Sequence, residues 1–329
     1  MDVDSAVSAS PVRTKVLSIV GPGRSGTTIL ASVLGEVHGV TSAGEVRWLW
    51  LRGVLEQRSC ACALPPAQCP LWSVVLDRVL GSRAADDGGD SPAVREILAA
   101  QRDLGTLLNR WRLMRSVGGH GKAWPALLRM QAANGEVIST LAERTQAELI
   151  VETSKRAQDA AVFASMDSID HYVLHVVRDP RAVAYSWRRK KPTGPGMARR
   201  TMSTRRLLPS AKRWAENCVG AELLRRQIPR DRWLFIRYED FSNVPRATVD
   251  RVLEFLDVDA KAPFDDADTV TLRPNHIVAG NPSRFRTGPV QIVPDSEWQS
   301  RMTRRDQLSV TGLLLPLMLR YGYSARVPR

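Results

Sequence analysis

A short turn near the start of the chain combines several groups that bind anions. The apolar run Val16–Val20 leads into the glycine-rich stretch Gly21–Gly26, and a helical pattern then runs from Thr27 to about Val37. Glycines let backbone N–H groups approach an anion closely, and a helix N-terminus adds a positive partial charge. This pattern predicts an anion-binding loop whose contacting residues are Gly23, Arg24, Ser25, Gly26, Thr27 and Thr28.

The spacing of the two outer glycines is that of a P-loop, but the usual lysine is missing. Four residues separate Gly21 from Gly26, and two threonines stand where ATP-binding P-loops have Lys-Ser or Lys-Thr. That lysine contacts the outer phosphates of a nucleoside triphosphate, whereas the cation of this loop is Arg24. The loop therefore predicts an anionic ligand, with an ATP-dependent small-molecule kinase and an ordinary tight turn as the alternatives.

Three charged side chains elsewhere in the chain each stand at the carboxyl end of a predicted strand. They are Glu45, Lys155 and Arg178, and open α/β sheets bind ligands at that edge. A carboxylate facing the ligand can act as a general base, so Glu45 is the candidate base. Solvated surface positions are the alternative for Glu45 and Lys155. Arg178 can bind a phosphate through two parallel hydrogen bonds, and Ser186 adds a hydroxyl about two helical turns further on.

These residues resemble the motifs of sulfotransferases, which use 3′-phosphoadenosine 5′-phosphosulfate (PAPS). The segment Pro22–Thr28 resembles their 5′-phosphosulfate loop. The motif from Arg178 to Ser186, a strand followed by Arg-Asp-Pro-Arg and a helix, resembles their 3′-phosphate site. The sequence Gly-Glu-x-Arg at Glu45 is similar to a segment of tyrosylprotein sulfotransferases in which the glutamate is the base, although the spacing of the arginine differs slightly. The resemblance extends over roughly residues 16–323.

The resemblance implies transfer of a sulfuryl group from PAPS to an acceptor hydroxyl, giving PAP and a sulfate ester. A glycan, a lipid, a secondary metabolite and a protein tyrosine stay open as acceptors. The resemblance also implies that Glu45 takes the hydroxyl proton, while Lys155 and Arg24 stabilise charge on the sulfonate and the departing phosphate. No metal is implied, because arginine and lysine supply the positive charge. Further assignments are Arg47 and Thr153 near the acceptor or the developing charge, and Asn281 and Arg284 on a C-terminal loop that covers the nucleotide.

Other interpretations of the same residues stay open at this point. A non-catalytic nucleotide- or polyanion-binding protein would have the loop but would tolerate loss of Glu45. His276 and His120 are the next candidates for the base if Glu45 does not act. The sequence names neither the acceptor nor the oligomeric state.

The order of predicted elements indicates an α/β fold. Strands alternate with helices, which predicts a single domain with a central parallel sheet flanked by helices, of the P-loop NTPase-like sulfotransferase type. We place this domain at residues 13–325, after a flexible N-terminus at residues 1–12. A helical insertion at about residues 46–147 is expected to form the wall of the acceptor pocket.

The composition favours a basic protein with an anionic ligand. Its 47 lysines and arginines outnumber its 34 aspartates and glutamates, giving a formal net charge of +13, which attracts nucleotides and other anions. We find no zinc-finger or helix-turn-helix pattern, so nucleic acid is not an expected partner. Neither a secretory signal nor an apolar run long enough to cross a bilayer is present, and we expect a cytoplasmic location.

Three of the four cysteines lie close together in the sequence. They are Cys60, Cys62 and Cys69. A zinc site would need a fourth ligand, and none is adjacent. We expect buried thiols, with a labile disulfide or a metal site as alternatives. Similar cysteine segments occur in bacterial members of the resembled family, but the resemblance implies no role for them.

Overall fold

A five-stranded parallel sheet forms the centre of the computed structural model, which describes residues 13–81, 90–117, 121–189 and 205–326. The strands within these residues span Thr14–Val20 (β1), Val40–Gly44 (β2), Leu149–Lys155 (β3), Ile169–Val177 (β4), Trp233–Arg237 (β5), Thr269–Leu272 (β6) and Gly288–Gln291 (β7). The first five form the sheet in the order β2-β3-β1-β4-β5, and β6 pairs antiparallel with β7. The predicted fold class is confirmed, whereas the predicted flexible terminus at residues 1–12 lies outside the described residues.

Helices cover both faces of this sheet. They span Thr27–Leu34 (α1), Trp72–Leu80 (α2), Pro92–Leu104 (α3), Leu107–Ser116 (α4), Pro125–Thr145 (α5), Ala157–Ala164 (α6), Pro180–Arg188 (α7), Leu207–Arg225 (α8), Tyr238–Asn243 (α9), Pro245–Phe255 (α10), Glu297–Arg301 (α11) and Arg304–Arg320 (α12). The segment between β2 and β3 is mainly helical where it is described, and its role as an acceptor wall stays a prediction. No helix in the described ranges is both long and apolar enough to cross a membrane.

The central strand β1 contributes apolar side chains to the cores on both faces of the sheet. Val16 and Val20 pack into the core on one face, with Trp50 and Phe163 from the helical segments. Leu17 and Ile19 pack into the core on the other face, with α1 and α10. Successive side chains of a strand point to opposite faces, and parallel strands are usually covered on both. The resulting burial fixes β1, and therefore the glycine-rich loop that follows it.

Candidate functional site

The carboxyl ends of all five parallel strands border one cleft of about 430 Å³. The loop at Gly23 follows β1, Glu45 follows β2, Lys155 ends β3, Arg178 follows β4, and Tyr238 follows β5. Because parallel strands point in the same direction, their ends meet at one edge of the sheet. The structure thus brings together the three charged residues that the sequence placed at strand ends.

The glycine-rich loop has a conformation that suits anion binding. Gly21, Arg24 and Gly26 have positive φ values of 135°, 72° and 72°, and the Gly21 N–H donates to the Lys155 carbonyl over 2.9 Å. A Cβ atom at Gly26 would lie 2.6 Å from the Tyr238 ring, so only glycine fits there. Among the described residues no side chain caps the N-terminus of α1, and the first turn of α1 carries no acidic residue. The first N–H groups of α1 are therefore available to an anion.

Glu45 and Lys155 meet directly at the loop. The Lys155 ammonium donates to Glu45 Oε1, and both side chains are largely buried. Gly44 precedes Glu45 with φ 83°, and the Glu45 N–H donates to the Val278 carbonyl over 2.9 Å. A lysine ammonium carries three donors. It can therefore hold the Glu45 carboxylate and still donate to an anion in the loop.

Arg24 is a buried cation at the floor of the cleft. Its guanidinium lies 4.6 Å from the centre of the Trp187 ring, a cation–π contact. Burial lowers the pKa of Arg24 to about 10, the charge of Arg189 acts in the same direction, and Glu45 opposes them. Arg24 is still charged at neutral pH, and a bound anion would compensate for the water that this charge has lost.

Arg178 follows β4, which is three strands away from β2 in the sheet. Its guanidinium donates to the Arg24 carbonyl over 3.1 Å and to the Asp295 carbonyl over 2.8 Å, and lies 3.3 Å from the Asp295 carboxylate. It also lies 4.3 Å from the centre of the Tyr238 ring. Ser186, buried on α7, borders the same cleft. A fixed guanidinium beside a hydroxyl is a suitable site for a phosphate.

Positive charge predominates along the cleft. Eight basic side chains line it in the described part of the chain, against the two acidic ones Glu45 and Asp295. Besides Lys155 and Arg178, the basic residues are Arg24, Arg52, Arg156, Arg205, Arg213 and Arg286. Burial also lowers the pKa of Arg156 to about 10. Like charges so close together repel one another, and an anionic ligand with more than one charged group would relieve that repulsion.

Several residues proposed from the sequence lie outside the cleft lining. Arg47 pairs with Asp159 over 2.8 Å, and Thr153 is buried within β3. Arg284 donates to the carbonyls of Gly280 and Ser59, so its guanidinium braces the C-terminal loop. Ser25 is buried within the glycine-rich loop. Asn281 does border the cleft, and its N–H donates to the Thr28 hydroxyl over 3.3 Å.

Other lining residues were not found by sequence reasoning. Tyr238 follows β5 and could have been found by the strand-end rule that located Glu45. Arg52 and Arg213 carry no local signal, because they lie in helical segments that reach the cleft only through packing. His276, the alternative base, contacts Cys69 and is not among the described residues that line the cleft. His120, the other alternative, lies outside the described residues.

The chain is similar in part to a protein-family model and in overall fold to a solved structure. Residues 170–262 match a model described as the sulfotransferase family. Among solved structures, a sulfotransferase domain from the curacin biosynthetic pathway is 15% identical with a TM-score of 0.52, and the alignment covers 96% of this chain and 99% of that one. No curated protein sequence matches the chain.

Two further solved structures align over most of the chain with lower scores. A sulfotransferase domain from the Synechococcus PCC 7002 olefin synthase is 17% identical with a TM-score of 0.43, covering 93% of this chain and 94% of that one. Retinol dehydratase, solved with retinol and PAP, is 13% identical with a TM-score of 0.38, covering 97% and 84%. The similarity to the curacin-pathway domain, with its TM-score of 0.52, supports the fold predicted from the sequence.

Proposed function

We propose that this chain, which has the fold of sulfotransferases and matches their family model over residues 170–262, transfers a sulfuryl group from PAPS to an acceptor hydroxyl. The acceptor oxygen bonds to sulfur while the bond from sulfur to the 5′-phosphate oxygen breaks. The acceptor proton passes to the Glu45 carboxylate, and PAP leaves with the electron pair of the broken bond. The products are a sulfate ester and PAP.

The contact between Glu45 and Lys155 is the observation that carries this proposal. The Glu45 carboxylate and the Lys155 ammonium lie side by side in the cleft that the glycine-rich loop also borders. The carboxylate accepts a proton, and the ammonium stabilises negative charge on the leaving oxygen. Preorganised donors of this kind contribute about 3 kcal/mol each to transition-state stabilisation in oxyanion holes.

The rest of the cleft suits a donor with two separated anionic groups. The α1 N-terminus and Arg24 suit the phosphosulfate, and Arg178 with Ser186, on the β4 side of the loop, suits a 3′-phosphate. The lysine that ATP-binding loops use is absent from the loop. We therefore expect PAP to bind without Mg²⁺ and more tightly than ATP. Calorimetric titration with each nucleotide, with and without Mg²⁺, tests this, and tighter metal-dependent binding of ATP would favour a kinase instead.

The catalytic assignment is tested by Glu45→Gln. Loss of a general base slows the chemical step by roughly 10² to 10⁴, whereas glutamine keeps the size of the side chain and its capacity to hydrogen bond. We expect single-turnover transfer from ³⁵S-labelled PAPS to a panel of phenols, alcohols and sugars to fall by that factor, with PAP affinity retained.

The matched control for this experiment is Glu143→Gln. Glu143 is exposed on α5 and pairs with Arg78 at the surface, so this variant should transfer sulfate like the wild type. Transfer by Glu45→Gln at the wild-type rate would remove Glu45 as the base.

A further inference from the structure

We propose that Cys60, Cys62, Cys69 and His276 form a structural zinc site. The three cysteines lie in the segment between β2 and α2, and His276 lies between β6 and β7. The ligand atoms of all four side chains lie within 4.8 Å of one another. The sequence offered three thiols without an adjacent fourth ligand, and the fold supplies that ligand from 207 residues beyond Cys69.

The two distances known within this Cys/His cluster lie close to those around a tetrahedral metal ion, the sulfur–nitrogen distance being about 0.3 Å shorter. The sulfurs of Cys60 and Cys69 are 3.8 Å apart, and Cys69 Sγ lies 3.2 Å from His276 Nδ1. In a tetrahedral site, Zn–S bonds of about 2.3 Å and Zn–N bonds of about 2.0 Å place neighbouring ligand atoms about 3.5 to 3.8 Å apart. A disulfide would require the two sulfurs to approach to about 2 Å.

A tight turn directs the cysteines toward the same point. The Cys60 N–H donates to the Leu64 carbonyl over 2.8 Å, and the Ala63 N–H donates back to the Cys60 carbonyl over 3.0 Å. Ala63 has φ 68°, a left-handed conformation. Cys60 and Cys69 are fully buried, and Cys62 and His276 are partly buried. Three thiolates and one imidazole form a ligand set typical of structural zinc.

The Cys/His cluster joins two segments that both support the candidate active site. Trp72 Nε1 donates to the His276 carbonyl over 2.6 Å, and the Ala61 N–H donates to the Ile277 carbonyl over 3.1 Å. The next residue, Val278, exchanges hydrogen bonds with Ala43 and Glu45. None of the four proposed ligands is among the described residues that line the cleft. The ion would therefore stabilise the loop beside Glu45 and would take no part in the reaction.

Metal analysis of the full chain, purified without a histidine tag and dialysed with its thiols reduced, tests the proposal. We expect about one zinc ion per chain, as four-coordinate structural sites hold a single ion. Cys69→Ser and Cys60→Ser should lose most of it. Cys218→Ser is the matched control, because Cys218 is also buried but lies on α8, in a different core cluster, and it should retain the metal.

A measurement on the unaltered chain keeps the test decisive if the cysteine variants do not fold. Replacement of zinc by Co²⁺ should give the intense visible absorption of tetrahedral cobalt, with a thiolate-to-metal charge-transfer band. His276→Gln should weaken Co²⁺ binding at least about tenfold, a loss typical even for outer-shell partners of a metal site. Absence of stoichiometric metal from the reduced chain, an octahedral cobalt spectrum or a Cys60–Cys69 disulfide in peptide maps would each overturn the proposal. These readouts do not depend on sulfotransfer.

Discussion

At the scale of single residues, the guanidinium of Arg178 in the proposed phosphate site is already bonded to other groups of the protein. Its donors reach two backbone carbonyls, and the Asp295 carboxylate lies 3.3 Å away. These contacts fix the guanidinium in place, so little side-chain entropy is lost when a phosphate binds. A bound phosphate would share this guanidinium with Asp295.

Arg178→Ala should therefore weaken the binding of PAP more than it slows the transfer step. A hydrogen bond to a charged group contributes about 1.5 to 3 kcal/mol, so PAP affinity should fall by roughly 10- to 100-fold. Ser186→Ala should act in the same direction with a smaller effect. The proposed 3′-phosphate is remote from the reacting sulfur, so single-turnover transfer at saturating PAPS should change little.

Calorimetry of PAP binding and quench-flow transfer on the same samples check this. Arg188→Ala, at a half-exposed position at the end of α7 that pairs with Asp306, is the control and should keep PAP affinity. Loss of turnover with unchanged affinity in Arg178→Ala would contradict its assignment to the 3′-phosphate.

At the scale of elements, the end of β2 is shaped by close contact with the C-terminal loop. Gly44 has φ 83°, and a Cβ atom there would lie 2.3 Å from the Val278 carbonyl oxygen. Glycine at this position lets β2 approach the segment around Val278 closely enough for the Glu45 N–H to reach the Val278 carbonyl. The orientation of Glu45, the proposed base, thus depends on its contact with Val278 in the C-terminal loop.

Gly44→Ala should lower both stability and transfer activity. A non-glycine residue with positive φ costs about 1 to 3 kcal/mol, and the collision with Val278 adds to this. Gly288→Ala is the matched control, because Gly288 has φ 79° but a Cβ atom added there would meet nothing within 4 Å. Urea unfolding should show the larger loss for Gly44→Ala, and equal losses would mean that the contact with Val278 is unimportant.

At the scale of the whole molecule, a buried histidine couples folding stability to pH. His175 on β4 lies among the rings of Trp233, Phe235 and Tyr321, at 5.5 to 5.6 Å between ring centres. Burial lowers the pKa of His175 to about 4, although the negative charge of Glu222 opposes the shift. The unfolded chain binds this proton near pH 6.5. Stability from the neutral imidazole is therefore present above pH 6.5 and is lost as the pH falls toward 4.

His175→Phe should reduce this loss. The melting temperature of the wild type should decline between pH 7 and pH 5, and the variant should decline less because phenylalanine binds no proton. His38→Gln, at an exposed position after α1, should follow the wild type. Calorimetric melting curves at several pH values check the expectation, and parallel curves for wild type and His175→Phe would refute it.

The sequence predicted the parts of the site that depend on local order along the chain. The hydrophobic pattern identifies the strands, and the candidate residues stand at their carboxyl ends: Arg24, Glu45, Lys155 and Arg178. These strand ends converge in any parallel sheet. Arg213 and His276 could not be placed in this way. Their positions depend on how α8 and the C-terminal loop pack against the rest of the molecule. Arg284 was given a ligand-binding role from its position in a motif; its side chain donates to two backbone carbonyls, and the role stays a prediction.

The strand order also determines when this protein can begin to fold during synthesis. β1 and β2 emerge from the ribosome before β3, but they are not hydrogen-bonded to each other, because β3 lies between them in the sheet. In the sheet that the described residues form, both strands therefore lack their partner β3 until the chain has been translated beyond Leu149–Lys155. Unpaired strand edges in a nascent chain are prone to aggregate. The glycine-rich loop after β1, whose Gly21 N–H donates to the Lys155 carbonyl, can take its final shape only after more than a hundred later residues have been added.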